Sequence, residues 1–179
     1  MTRLLDACAS PHVRLFMLLA IASGGRHGAL LELTWDRVNF NDGLIDLRRR
    51  EKRDPMSKRG RKGRAVVAMN NLLRAALTEA RSGAQTDHVI EWDGRPLKSI
   101  KKAFQRAVER AGLTGVTPHT FRHSAATWLT EDDVPLEQVA RFMGHTHVAT
   151  TEGTYSKPRG NYLRAAADAV EKRVLRGKK

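Results

Sequence analysis

The sequence predicts one mainly helical domain carrying a small three-stranded antiparallel sheet, an α+β fold. Three observations predict it. Apolar residues recur at helical spacing through most of the 179 residues. The region 35–69 departs from that period and holds three short apolar runs bounded by turn residues. No internal repeat and no low-complexity linker divides the chain.

Pro11 opens the first helix, 11–22, at a position where its missing N–H costs nothing. Ser23-Gly24-Gly25 breaks it, and a short helix runs from His27 to about Leu33. Thr34-Trp35 and Val38-Asn39-Phe40 read as a first strand. Asn41-Asp42-Gly43 is a strong hairpin turn. Leu44, Ile45 and Leu47 continue as a second strand, and Ala65 to Met69 as a third. The basic residues between the last two strands are expected to form a long, mobile hairpin tip. Asn70 or Asn71 caps a helix over 71–82, whose apolar face is Leu72, Leu73, Ala76 and Leu77. His88 to Trp92 reads as a short strand and Asp93-Gly94-Arg95-Pro96 as a turn. Leu97, Ile100, Phe104, Val108 and Ala111 mark a helix over 97–111, stopped by Gly112. Thr117-Pro118 starts a helix over 118–131, and Pro135 starts another over 135–143, ended by Gly144. A looser segment, 145–156, precedes a last helix from about Asn161 to Leu175. The basic tail, 172–179, is expected to be disordered.

Composition narrows the function. Hydrophobic residues make up 41% of the chain, enough for a globular core. No stretch approaches the roughly 18 apolar residues of a spanning helix, so no membrane partner is expected. The N-terminus lacks the basic-then-apolar pattern of a secretory leader, which predicts a cytoplasmic protein. Cys8 is the only cysteine, so an internal disulfide is impossible. The net charge of +13 favours a polyanion, chiefly nucleic acid. Ten basic residues crowd 48–64: Arg48, Arg49, Arg50, Lys52, Arg53, Lys58, Arg59, Arg61, Lys62 and Arg64. Only Glu51 and Asp54 oppose them, which leaves a local charge of +8. Such density suits phosphate contacts, which supply salt-dependent affinity but little base choice.

Four separated places carry possible chemistry. Arg26 follows a glycine pair and stands at the mouth of a helix; it also suits a structural ion pair. His119 and Arg122, at i and i+3, share one face near a helix start, where an anion gains from the helix dipole. Gly144 turns the chain and presents His145 from a loop. Tyr155 lies ten residues later in a polar, Thr-rich stretch. His119 and His123, at i and i+4, have a spacing that suits one metal ion, but no helix Glu accompanies them and Arg122 between them opposes a cation.

In order, these features are an Arg, a Lys-rich hairpin, a His-x-x-Arg, a Gly-His and a Tyr. The segments SGGRHGALLELTW, GRAVVAMN, TPHTFRHSAATWL, VARFMGH and TEGTYSK together resemble the catalytic domain of the tyrosine recombinases, the phage integrase family, from about residue 3 to 167. The resemblance implies that family's catalytic-domain fold. It implies Arg26 and Arg122 as the two catalytic arginines, His119 as the head of the His-x-x-Arg motif, His145 as the later histidine and Tyr155 as the nucleophile. The hairpin lysine is Lys58 or Lys62, and the six-residue interval to Arg64 favours Lys58. Two positions depart from the family pattern: Ala29 stands where Glu is common, and Ala68 where Pro is common.

The resemblance further implies a site-specific recombinase or integrase that cleaves and rejoins DNA through a 3′-phosphotyrosyl link, without metal, ATP or other cofactor. It implies double-stranded DNA as partner, a tetramer on a DNA synapse, and a phage or mobile-element origin with action at the bacterial nucleoid; off DNA, residues 161–175 either pack on a neighbouring protomer or fold back on a monomer. Residues 1–179 are expected to be a single catalytic domain, without the N-terminal clamp that family members usually carry. A DNA-binding module without catalysis, a type IB topoisomerase and a telomere resolvase are the rival readings.

Overall fold

A computed structural model of the chain describes residues 1–48, 65–145 and 151. Its element order is α1 (Thr2–Asp6), α2 (Pro11–Ser23), α3 (His27–Leu31), a 3-10 turn (Trp35–Arg37), β1 (Val38–Asn39), β2 (Leu44–Asp46), β3 (Val66–Ala68), α4 (Asn71–Ser82), β4 (Glu91–Trp92), β5 (Arg95–Pro96), α5 (Lys101–Arg110), α6 (Pro118–Glu131) and α7 (Leu136–Met143). This is the mainly helical α+β architecture that the periodicity predicts.

The helix α2 is the centre of the molecule. Val13, Leu15, Phe16, Met17, Leu18, Leu19 and Ala20 are all buried, so it is apolar on nearly every side. It packs against α3, α4 and α6. Pro11 occupies its first turn, and Gly24 ends it in the left-handed conformation at φ 57°. The side chain of Asn70, rather than Asn71, caps α4 by accepting from the Leu73 N–H at 2.9 Å.

The sheet has the order β1-β2-β3, antiparallel throughout. Val38 pairs with Ile45, and Ile45 with Val67. These three side chains are buried, while Leu44, Val66 and Ala68 face outward. The Leu47 N–H donates to the Ala65 carbonyl at 3.0 Å, which sets the two ends of the basic segment opposite each other. That segment beyond Arg48, from 49 to 64, lies outside the described residues, as do Tyr155, the helix expected at 161–175 and the tail.

Several local expectations change. Trp35 is not in a strand: its N–H donates to the Asp87 carbonyl at 2.8 Å, and the Arg37 N–H closes a 3-10 turn on the Thr34 carbonyl. Only Thr34 keeps a β-bridge, to His88. Residues 93–96 are more than a turn. Asp93 (φ 51°) and Gly94 (φ 66°) form the two-residue corner of a β4–β5 hairpin, as an Asp-Gly pair does in a type I′ turn. The hairpin holds Leu97, whose N–H donates to the Ile90 carbonyl, so α5 begins at Lys101 instead of 97. Leu72 projects into solvent at 61% exposure and leaves the face of α4 to Leu73 and Leu77. The short α1, which the residue pattern does not signal, is tied down by Arg3 donating to the Gly112 carbonyl and by Arg110 donating to that of Ala7.

Candidate active site

The site forms where α2, α3, α6 and α7 approach one another, and the glycine pair explains how. A Cβ on Gly24 would lie 2.8 Å from Met143 Sδ and 3.2 Å from Phe142 Cε1. A Cβ on Gly25 would lie 2.6 Å from Leu30 Cδ2 and 3.0 Å from Leu47 Cδ1. Neither position has room for a side chain, and Gly24 also needs its positive φ. Ser23, fully buried, braces the turn: its hydroxyl donates to the Leu19 carbonyl at 2.5 Å and accepts from the Gly25 N–H. The chain then delivers Arg26 at the N-cap of α3, half-buried, with its carbonyl accepting from Ala29 and Leu30.

Arg122 is 5% exposed, one of few buried polar residues among those described. Nη1 donates to the Gly24 carbonyl at 2.5 Å and Nη2 to the Met143 carbonyl at 2.5 Å. Gly24 caps the C-terminus of α2, and Met143 is the last residue of α7. Carbonyls at helix C-termini have no intrahelical donor and carry the negative end of the helix dipole. Two such ends converge on one guanidinium, which offsets the cost of burying its charge. Arg122 and Arg26 line the same cleft, together with Ala29, Leu47, Ala65 and Phe142. Ala29 is buried there and offers Arg26 no carboxylate.

His145 follows directly on the end of α7. Gly144 takes φ 61° and ψ 38°, its N–H donates to Arg141, and the His145 N–H donates to Ala140 at 2.9 Å. This helix ending turns the half-buried imidazole toward Arg122 and Arg26, whose charges act on it. Burial pushes its pKa below the ordinary 6.5, and the two guanidiniums push the same way. Its Nδ1 lies 2.7 Å from Thr151 Oγ1.

His119 sits in the first turn of α6, after Pro118 and a Thr117–Thr120 capping box. It is exposed overall, with its ring edge-to-face on that of His123, centroids 4.6 Å apart and planes at 86°. Partial desolvation lowers its pKa first; the charges of His123, Arg122, Arg26 and His27 lower it further. Both His119 and His145 are therefore neutral at pH 7 and able to exchange a proton. Among the described residues no group of three or more metal-ligating side chains forms around the His119–His123 pair.

The structure thus brings Arg26, His119, Arg122 and His145 together. Lys58, Lys62 and Tyr155 lie outside the described residues, as do Arg49, Arg50, Lys52, Arg53, Arg59, Arg61 and Arg64. Arg48 is exposed at the end of β2 and is paired with Asp46, Nη2 to Oδ2 at 2.8 Å. Thr151 is the residue that sequence reasoning missed. It is fully buried, where a loose polar stretch is expected, and residue type alone does not separate a buried threonine from a solvated one.

Solved structures place this fold in one class. The chain superposes on the crystal structure of XerA recombinase with a TM-score of 0.71 at 22% identity, over 94% of this chain and 61% of that one. It superposes on the Tn1549 transposon integrase, in complex with transposon right end DNA, with a TM-score of 0.75 at 16% identity, over 95% and 63%. The fold is that of the tyrosine recombinase catalytic domains.

The chain belongs to the phage integrase family, whose sequence pattern matches residues 1–161. It is 32% identical over 167 residues to the tyrosine recombinase XerA of Thermococcus kodakarensis, covering 88% of this chain and 55% of that protein. It is 29% identical over 174 residues to transposase A from transposon Tn554 of Staphylococcus aureus strain Mu50, covering 86% and 45%. The chain spans about half the length of these curated relatives. Among the described residues no helix is long and apolar enough to cross a membrane.

Proposed function

We propose that this chain supplies the catalytic domain of a site-specific DNA recombinase or integrase, which breaks and rejoins strands of double-stranded DNA through a covalent tyrosine intermediate. The observation that carries the reading is Arg122, buried between two helix ends and set beside Arg26, His119 and His145. Two guanidiniums suit the non-bridging oxygens of a phosphodiester and the charge that grows on them in the transition state. The Tyr155 hydroxyl, with an ordinary pKa of about 10, needs a neighbour to take its proton, and neutral His119 is that base. Attack by Tyr155 Oη forms the O–P bond and breaks the bond from phosphorus to the 5′-oxygen. Lys58 protonates the departing oxygen, and His145 holds a phosphate oxygen.

The phosphotyrosyl link keeps the energy of the broken ester, so rejoining needs no ATP, and this residue set assigns no metal. The basic segment, from Arg48 to Arg64, tracks the DNA backbone. Relatives named transposase and integrase support a mobile-element or phage origin. In this reading the protein acts in the cytoplasm, at the nucleoid, and self-associates on a DNA synapse.

The test is incubation with supercoiled plasmid in EDTA, stopped with SDS, beside Tyr155→Phe. Relaxation and protein-linked DNA that disappear in the variant are the expected result. Linkage that survives Tyr155→Phe overturns the assignment of the nucleophile.

A further inference from the structure

His145 Nδ1 and Thr151 Oγ1 are 2.7 Å apart, and either atom has the chemistry to donate. The surroundings of Thr151 decide between them. Its side chain is fully buried, and its hydroxyl has no other hydrogen-bond partner among the described residues. Were Nδ1–H the donor, the hydroxyl proton would sit in the core with no acceptor among the described residues, an arrangement that buried polar groups rarely adopt. With the hydroxyl as donor, its proton lies on the Nδ1 lone pair and both groups are satisfied. A neutral imidazole that accepts at Nδ1 must carry its proton on Nε2.

We propose that Thr151 is a positioning residue that fixes His145 in the Nε2–H tautomer, so that the imidazole presents a hydrogen-bond donor to an anionic phosphate oxygen of DNA. The inference rests on the recombinase reading for the identity of the anion, though not for the tautomer. The opposite tautomer would aim a lone pair at the anion and repel it. Among the described residues the charged groups acting on His145 are Arg122 from α6 and Arg26 ahead of α3. Both are cations, so the neutral ring is favoured and its tautomer decides what it can do. The role differs from that of the arginines: Thr151 acts through the histidine that it hydrogen-bonds.

The test has two readouts. Long-range proton–nitrogen correlation spectra of the free chain at alkaline pH report which ring nitrogen of His145 carries the proton. The expected wild-type spectrum has Nδ1 unprotonated. Thr151→Ala gives a mixed tautomer, and Thr151→Ser restores the wild-type pattern. Serine and alanine both remove the methyl group and differ by one oxygen, so a packing defect is common to the two variants and the hydroxyl is isolated. Covalent DNA linkage is expected to fall about tenfold or more in Thr151→Ala and to recover in Thr151→Ser. A wild-type His145 protonated on Nδ1 overturns the proposal, as does a tautomer identical in all three proteins. Absence of DNA linkage in the wild type counts against the recombinase reading, while the spectra still decide the tautomer.

Discussion

The guanidinium of Arg122 lies 2.5 Å from the carbonyl oxygen of Gly24, a residue 98 positions earlier in the chain. This hydrogen bond joins the end of the central helix to the body of α6, and its twin at Met143 joins the end of α7. One side chain therefore closes the fold and lines the cleft. Stability and chemistry are coupled at that position, because whatever moves the guanidinium also loosens two helix ends.

Arg122→Lys separates the fork from the charge. Lysine keeps the positive charge but brings a single ammonium where two carbonyls are served from two nitrogens. At least one carbonyl is left without its donor, a loss of about 1–3 kcal/mol. For a domain of this size that lowers the thermal midpoint by roughly 2–12 °C. Covalent DNA linkage should fall by about a hundredfold, as expected when a preorganised donor is lost from an oxyanion site. Calorimetry and the plasmid assay read the two effects. An unchanged midpoint would mean that charge alone, not the planar fork, holds the helix ends.

Acid should weaken the fold through its histidines. His12, His119 and His145 all have pKa values below the ordinary 6.5 in the folded chain, with burial the first cause in each. As pH falls through 6.5, the unfolded chain takes up protons before the folded one, so stability is full above that pH and declines below it. His12 isolates part of the effect. Its ring packs on Trp92, centroids 4.6 Å apart, and its buried Nδ1 has no hydrogen-bond partner among the described residues. Phenylalanine at that position leaves no polar group behind. His12→Phe should flatten the fall of thermal midpoint between about pH 6.5 and 5 while leaving a residual slope from the other two. A slope as steep as that of the wild type would mean that His12 carries none of the effect.

Much of this was legible in the residue order, for physical reasons. The helix α2 declares itself by Pro11, an apolar run and the stop at Gly24, α4 by its periodic apolar residues, α6 by Thr117-Pro118, and α7 by Pro135 and the stop at Gly144. The sheet declares itself through Asn41-Asp42-Gly43. What sequence did not disclose depends on partners far along the chain. Trp35 turns into a 3-10 conformation because Asp87 accepts its N–H, and α5 starts late because Leu97 is held by Ile90. The candidate site divides in the same way. Motif order picks out Arg26, His119, Arg122 and His145 as a set, but not that Arg122 is buried against Gly24 and Met143. Thr151 is invisible until the fold places its hydroxyl on His145.

In the recombinase reading, a second surface bears on how the chain would hold DNA. Most described arginines are already engaged: Arg14 with the Leu5 carbonyl, Arg74 with that of Phe40, Arg81 over the Trp35 ring, Arg141 with Glu137. Arg95, Lys98, Lys101, Lys102 and Arg106 differ. The side chains of all five are exposed and make no hydrogen bond or ion pair among the described residues, from the β4–β5 hairpin through the first turns of α5. Unpaired like charges so close together repel one another, and a polyanion relieves that repulsion. If phosphates lie along this face, the double variant Lys101→Ala, Lys102→Ala weakens DNA binding evenly across sequences. The slope of log affinity against log salt then shrinks by about 0.9 for each phosphate that is no longer neutralised. Arg141→Ala is the control, because its charge is already paired with Glu137 at 2.6 Å. Titrating labelled duplex across a salt series measures all three proteins. A slope unchanged in the double variant would assign the phosphate-binding role in this chain to other residues, the basic segment 48–64 foremost among them.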